Sequence, residues 1–389
     1  MDRPRAILAA PNHWTSVLQV GTHHIARALA ETGWEVAYLS DPVSPFHLAS
    51  LGRLETRQRF RLYAGGGKPD GRVVAYVPMT LMSPRGPHLP GTAGLTRRWT
   101  QLTFPRLERV LRRHGFDSPD LIWIDSVMWE PLLERGSSRH SVLRIADRNG
   151  GFARHRPEFD AMEQRLARRV DIVVYSAMTL EDHVRSLTPR QMQYMPNGVD
   201  LDRFRDPAPD PPEYRTIRHP RAVYVGAMAE WFDYALVDRM VQAMPDVSFV
   251  LIGPDELARR RLRPAANLHL LGRRSADRIP GLLQHSDLGL IPFDTKGFPE
   301  LIGSVHPIKL YEYLASGLPV VAAYWSELNS LGSPARLYGD AEQAMAMIRA
   351  AIGSGRADAA QWLAGSNWKQ RLRPVLASLG LDAHTRADD

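Results

Sequence analysis

The chain of 389 residues contains no cysteine. That excludes a disulfide framework, a thiolate zinc site and a cysteine nucleophile together. Long apolar runs are missing as well: no stretch approaches the roughly 20 apolar residues that a membrane-spanning helix needs. The N-terminus enters an apolar run at Ala6–Ala10 without the basic start, apolar stretch and small-residue cleavage site of a secretory signal, so a cytoplasmic location is expected. No GxGxxG follows the strand-like runs Ala6–Ala10 and Ala222–Val225, which argues against a nicotinamide-dependent dehydrogenase. Basic residues exceed acidic ones by a net charge of +7, yet they form no recognisable nucleic-acid motif. A basic nucleic-acid-binding protein is the alternative of a different class, and no nucleic-acid partner is expected.

What the sequence does hold suffices for two cores. A composition of 44% hydrophobic and 23% charged residues is that of an ordinary globular protein, and the length suits two domains. Short apolar runs alternate with segments of helical spacing, which predicts an α/β architecture of parallel sheets covered by helices. Strands are expected at Ala6–Ala10, Glu35–Ser40, Val73–Val77, Leu121–Asp125, Val142–Ala146, Asp171–Tyr175 and Gln193–Met195, with a helix at Thr22–Gly33. The run DPAPDPP, Asp206–Pro212, fits neither helix nor central strand and reads as a linker.

Beyond it the pattern restarts, with strands at Ala222–Val225, Ser248–Ile252, Leu268–Leu271, Leu288–Ile291 and Val320–Ala323. Helices are expected at Asp233–Ala243, Pro307–Ser316 and Asp340–Gly353, and a last one, Trp362–Leu379, is expected to kink or break at Pro374. The expected division is a first domain 1–205, a linker 206–213, a second domain 214–365 and a C-terminal helix and tail 366–389. Ligands of open parallel sheets gather beyond the carboxyl ends of strands, which singles out Asp125, Asp147 and Ser176.

The most informative stretch, Ser304–Val321, reads SVHPIKLYEYLASGLPVV. Pro307 suits a first helical turn, and Gly317 ends the helix before a buried strand. A helix start with Lys309 in its first turn is an anion site, because unpaired backbone N–H groups and the ammonium address the same ligand. A diphosphate fits. Glu312 lies three residues on, along the same face, where its carboxylate can accept hydrogen bonds from ribose hydroxyls. The plainer reading is a surface ion pair. Asp147, followed by Asn149, Gly150 and Gly151, can project into a cleft where desolvation raises its pKa; its plainer reading is a turn or capping aspartate.

Here the sequence resembles a known superfamily. A proline, a lysine and an acidic residue followed by YLASGLPVV look like the donor-site helix of GT-B glycosyltransferases, and Tyr194–Phe204, YMPNGVDLDRF, resembles the strand and turn that close the N-terminal domain there. Arg144–Gly150 (RIADRNG), Val225–Asp233 (VGAMAEWFD) and Ile308 with Lys309 are most similar to the GumK-type glucuronosyltransferase family of xanthan assembly. The resemblance implies two Rossmann-like parallel-sheet domains facing a cleft, the first binding the acceptor and the second a nucleotide-sugar donor, with a C-terminal helix crossing back onto the first. It implies Asp147 as catalytic base and donor contacts from Gly226, Met228, Phe293, Ile308, Lys309 and Glu312, with Arg273 beside the departing diphosphate.

This chain departs from the family at two places: Gly272 and Arg273 stand where an acidic nucleotide contact is usual, and Glu312 replaces a glutamine. Ser304 occupies the place of the first glutamate of the retaining branch, which points to inversion. A retaining GT-B enzyme with another sugar nucleotide is the alternative. The expected partners are a UDP-sugar, UDP-glucuronate by resemblance, and a saccharide or lipid-linked acceptor, in bacterial polysaccharide or glycolipid assembly. No metal and no cofactor are expected; Asp200 and Asp202 spell DxD, but in a turn before the linker, and read as structural.

Weaker features complete the reading. Gly65–Lys68, GGGK, lacks the hydroxyl residue of a phosphate-binding loop and reads as a mobile loop. His23 and His24 open a helix beside a glycine and are candidate acceptor contacts. Leu95–Gly115 interleaves arginines with Trp99, Leu102, Phe104, Leu107 and Leu111, and a second basic run spans Arg53–Arg61. Both suit peripheral contact with an anionic membrane on the inner face of the plasma membrane; a solvated arginine-rich face is the alternative.

Overall fold

A computed structural model describes residues 3–81, 98–135, 138–148 and 157–382. The first sheet holds β1 (Arg5–Ala10), β2 (Glu35–Ser40), β3 (Lys68–Asp70), β4 (Val73–Tyr76), β5 (Leu121–Ile124), β6 (His140–Ile145), β7 (Ile172–Tyr175) and β8 (Met192–Tyr194). Their order is β3-β4-β2-β1-β5-β6-β7-β8, parallel except for β3 against β4. The second sheet holds β9 (Arg221–Val225), β10 (Ser248–Ile252), β11 (Leu268–Gly272), β12 (Leu288–Ile291), β13 (Val320–Ala323) and β14 (Arg336–Tyr338), all parallel in the order β11-β10-β9-β12-β13-β14.

The continuous apolar runs form central strands because both faces of each sheet are covered. Along β1, Ala6, Leu8 and Ala10 enter one core while Ile7 and Ala9 enter another. A third core fills the second domain. Val199 and Phe204 already pack into that third core, so the chain changes domain before the proline run, near the NGVD turn. Gly65–Lys68 is the turn into β3, with Gly66 and Gly67 at positive φ, rather than a free loop.

The C-terminal helix, Trp368–Ser378, packs on the first domain, where Trp368, Leu372, Val375 and Leu376 join the core beneath β1. Pro374 lies inside this helix without ending it; the break in the expected stretch falls instead at Gly365, whose φ is +75°. The two sheets present carboxyl ends to each other. A cavity of about 30 Å³ between them is lined by His13, Ser16, Leu54 and Gln58 from the first domain and by Pro254 and Arg273 from the second.

Candidate active site at the domain seam

The second domain's side of the seam begins with two glycines. Gly226 follows β9 and Gly253 follows β10, at φ values of +151° and +147°. A Cβ on Gly253 would lie 1.9 Å from the Gly226 carbonyl oxygen, and one on Gly226 would lie 3.3 Å from Lys309 Nζ. Only bare backbone lets these loops and the lysine meet.

Lys309 stands in the first turn of the helix Ile308–Ala315, whose N-terminus no side chain caps. Its ammonium hangs 5.0 Å from the Tyr224 ring centroid and 4.5 Å from that of Phe293. It forms no salt bridge with any described residue, and burial lowers its pKa to about 8, the Glu312 carboxylate opposing. A half-buried cation held by ring faces beside open helix N–H groups is an arrangement chemically suited to an anion. Burial raises the Glu312 pKa, while Arg203 and Lys309 pull it down.

The other expected donor residues divide. Phe293 faces the ammonium, but Met228 is buried in the third core, its carbonyl accepting from the Tyr234 hydroxyl at 2.7 Å. Ile308 packs against the first domain's core. Arg273 follows the edge strand β11, two strands from β9 and so roughly 10 Å from Gly226, where it pairs with Glu256 at 2.5 Å and lines the interdomain cavity.

Asp147 follows β6 and is partly buried. Burial raises its pKa, and Arg144 lowers it in part. The next residue, Arg148, donates its N–H to Ser304 Oγ at 3.0 Å. The expected base therefore stands across the seam from the loop that leads into the donor helix. Asn149, Gly150 and Gly151 lie outside the described residues.

Of the other strand-end candidates, Asp125 accepts from Arg144 Nη1 at 2.9 Å, from Trp123 Nε1 at 2.7 Å and from the Thr22 hydroxyl. Ser176 donates to the Ala146 carbonyl at 2.8 Å. Both are spent on structure. So is Asp200, which caps the helix Leu201–Arg205 by accepting from Arg203 N at 3.2 Å.

His23 and His24 lie inside the packing rather than on the cleft surface. His23 bonds the His13 carbonyl at 3.0 Å, and burial lowers its pKa to about 4. His24 stacks on Trp368 with ring centroids 5.2 Å apart.

Sequence reasoning did not single out the residues that complete the seam. Asn197 Oδ1 accepts from Arg144 Nη2 at 2.7 Å, and Asn197 Nδ2 donates to the His306 carbonyl at 2.6 Å. The His306 ring meets Glu327 at 3.2 Å and the Tyr311 hydroxyl at 2.8 Å, and Glu327 accepts from Thr179 N of the first domain at 3.1 Å. Asn197 and His306 stood inside the motifs quoted above; that they are buried and face each other was not readable from them.

Known proteins resemble the chain in sequence and in fold. Residues 7–176 match the family described as glucuronosyltransferase GumK, N-terminal domain, and residues 219–355 match glycosyl transferases group 1. TuaH of Bacillus subtilis (strain 168), named for glycosyl transfer in teichuronic acid biosynthesis, is 23% identical over 258 residues. That alignment takes in 63% of this chain and 60% of the relative, so the chain spans less than two thirds of that protein's length.

Among solved structures, sucrose-phosphate synthase from Thermosynechococcus elongatus superposes with a TM-score of 0.63 at 14% identity, covering 98% of this chain and 97% of that one. Anabaena HepE, in complex with UDP-glucose, superposes with a TM-score of 0.57 at 15% identity, covering 98% of each.

The chain has the GT-B fold, and each of its two domains matches a glycosyltransferase family model. Within that fold its first domain goes with that of glucuronosyltransferase GumK, and its second with the group 1 transferases.

Proposed function

We propose that the chain moves a sugar, glucuronic acid by the kinship of its first domain, from a UDP-sugar to a saccharide acceptor in bacterial polysaccharide or glycolipid assembly, with inversion and without a resident metal. One observation carries this reading: the Lys309 ammonium, in no salt bridge among the described residues, at an uncapped helix start across the seam from Asp147. Asp147 takes the proton from the acceptor hydroxyl, and the freed oxygen attacks the anomeric carbon. The bond from that carbon to the diphosphate breaks, and UDP leaves with the electron pair. Lys309 and the helix N–H groups stabilise the charge that develops on it. Glu312 holds the ribose.

The test is a thermal-shift panel of nucleotide sugars followed by NMR of the product. A true donor raises the melting temperature by mass action, and an α-linked donor should give a β-linked product. Retained configuration would move the chain to the retaining alternative. No stabilisation by any sugar nucleotide would remove the reading.

A lipid-linked acceptor is supported by an exposed apolar rim. Phe46, Phe104 and Leu81 are 83%, 77% and 70% exposed, with Leu48, Leu51 and Leu102 near them. Three segments meet there: Val43 N donates to the Pro78 carbonyl at 2.9 Å, and Phe104 N to the Met79 carbonyl at 3.0 Å. Arg53, Arg57, Arg61, Arg106 and Arg109 border the rim in sequence.

The expected interfacial segment needs correction, because Trp99, Leu107 and Leu111 are core residues, while Leu95–Arg97 lies outside the described residues. No helix among the described residues is long and apolar enough to cross a membrane. Peripheral binding to anionic vesicles on the inner leaflet fits, each nearby arginine contributing about 1 kcal/mol. In a flotation assay the wild type should float with phosphatidylserine vesicles and release at high salt, and Phe46→Glu with Phe104→Glu should not float. A wild type that stays down at low salt would end the membrane reading.

A further inference from the structure

We propose that Asn197 is a positioning residue for transfer: its side chain sets the separation between Asp147 and the start of the donor helix. The inference rests on the reading of Asp147 as base and Lys309 as diphosphate ligand. Asn197 is buried and holds both domains at once. Its Oδ1 accepts from Arg144, which lies on β6, the strand that delivers Asp147, and which is itself fixed by Asp125 at 2.9 Å. Its Nδ2 donates to the carbonyl of His306, the residue before Pro307, where the helix carrying Lys309 begins.

Arg144 and Asn197 are 53 residues apart and Asn197 and His306 are 109 apart, so one amide joins three distant segments. Its two ends are not interchangeable. The oxygen faces a guanidinium and the NH2 faces a carbonyl, so only an amide satisfies both.

The other seam contacts hold different points. Thr179 grips Gly303 and Glu327, and the Arg148 N–H grips Ser304. Loss of Asn197 therefore leaves the domains docked but removes the side-chain tie between β6 and the helix start, so that among the described residues only the Arg148–Ser304 bond still links the end of the base strand to the loop before Pro307. A misplacement of about 1 Å between reacting groups lowers turnover by about 10²-fold. Donor affinity should hold, because Lys309, Tyr224, Phe293 and Gly226 all belong to the second domain and none of them touches Asn197.

The experiment compares wild type, Asn197→Ala and Asn197→Asp for UDP affinity by calorimetry, kcat, donor KM and melting temperature. The aspartate keeps the acceptor for Arg144 but turns an oxygen toward the His306 carbonyl. Both variants should bind UDP within about threefold of wild type, with kcat lowered by about 10²-fold and donor KM little changed. Wild-type kcat in either folded variant overturns the inference. So does a parallel loss of UDP affinity and kcat, which would make Asn197 a support of the donor pocket alone. Should the alanine variant fail to fold, the aspartate variant with its melting temperature decides. Failure of the parent reading looks different: the wild type itself would transfer no sugar from any UDP donor.

Discussion

Replacing Asp147 by asparagine should lower the transfer rate by about 10²–10⁴-fold while leaving UDP affinity unchanged. The substitution keeps shape and hydrogen-bonding capacity and removes only the ability to accept a proton. Asp147 is partly buried at the end of β6, and that burial raises its pKa above the ordinary aspartate value, Arg144 opposing. A raised value suits a base, because the carboxylate then has more affinity for the acceptor's proton. The sign of the pH dependence follows. Activity needs the deprotonated form, so kcat/KM should rise with pH through the elevated pKa and then level, the acid limb lying above the usual carboxylate position. The asparagine variant should lose that limb. Wild-type turnover in Asp147→Asn would assign the base elsewhere, and a parallel loss of UDP affinity would make the residue structural.

Lys309→Met should weaken UDP binding by about 10- to 100-fold, the worth of a charge-assisted contact, and lower kcat further, because in the proposed reaction the same ammonium faces the leaving group. The pH dependence is sharper evidence than the magnitude. In the free protein burial brings the Lys309 pKa to about 8, and a bound diphosphate favours the charged form. UDP affinity should therefore be flat from pH 7 to about 8 and fall by up to tenfold per unit above that. The phosphate's own proton is lost near pH 6, so it does not disturb this window. Calorimetry from pH 7 to 9.5 should show the decline in the wild type and a level line in Lys309→Met. A wild-type profile without the decline would show that the ammonium does not meet the phosphates.

The readable parts of this fold are those where local chemistry and burial agree. Ser248–Ile252, Leu288–Ile291 and Val320–Ala323 are found as expected, since strands covered on both faces must be apolar throughout. The edge strands β3 and β14 were not foreseen. Lys68–Asp70 is exposed at all three residues and holds a proline, so only its pairing with β4 makes it a strand.

The same division governs the site. The positions of Lys309 at a helix start and of Asp147 just past a strand end were legible because both are local features. His23 and His24 open a helix too, but that helix is wedged between the first sheet and the chain's last helix, a tertiary fact that no periodicity carries. The amide of Asn197 was invisible for the same reason: its partners come from β6 and from the loop before Pro307.

The first domain also borrows Trp368, Leu372, Val375 and Leu376 from the far end of the chain. During synthesis the strands of that lobe leave the ribosome long before this helix exists. At roughly 5–20 residues per second the delay from β8 is on the order of ten to thirty seconds, with the floor beneath β1 open to water throughout. The second lobe can complete its core within that interval. The first lobe, though made first, is sealed last.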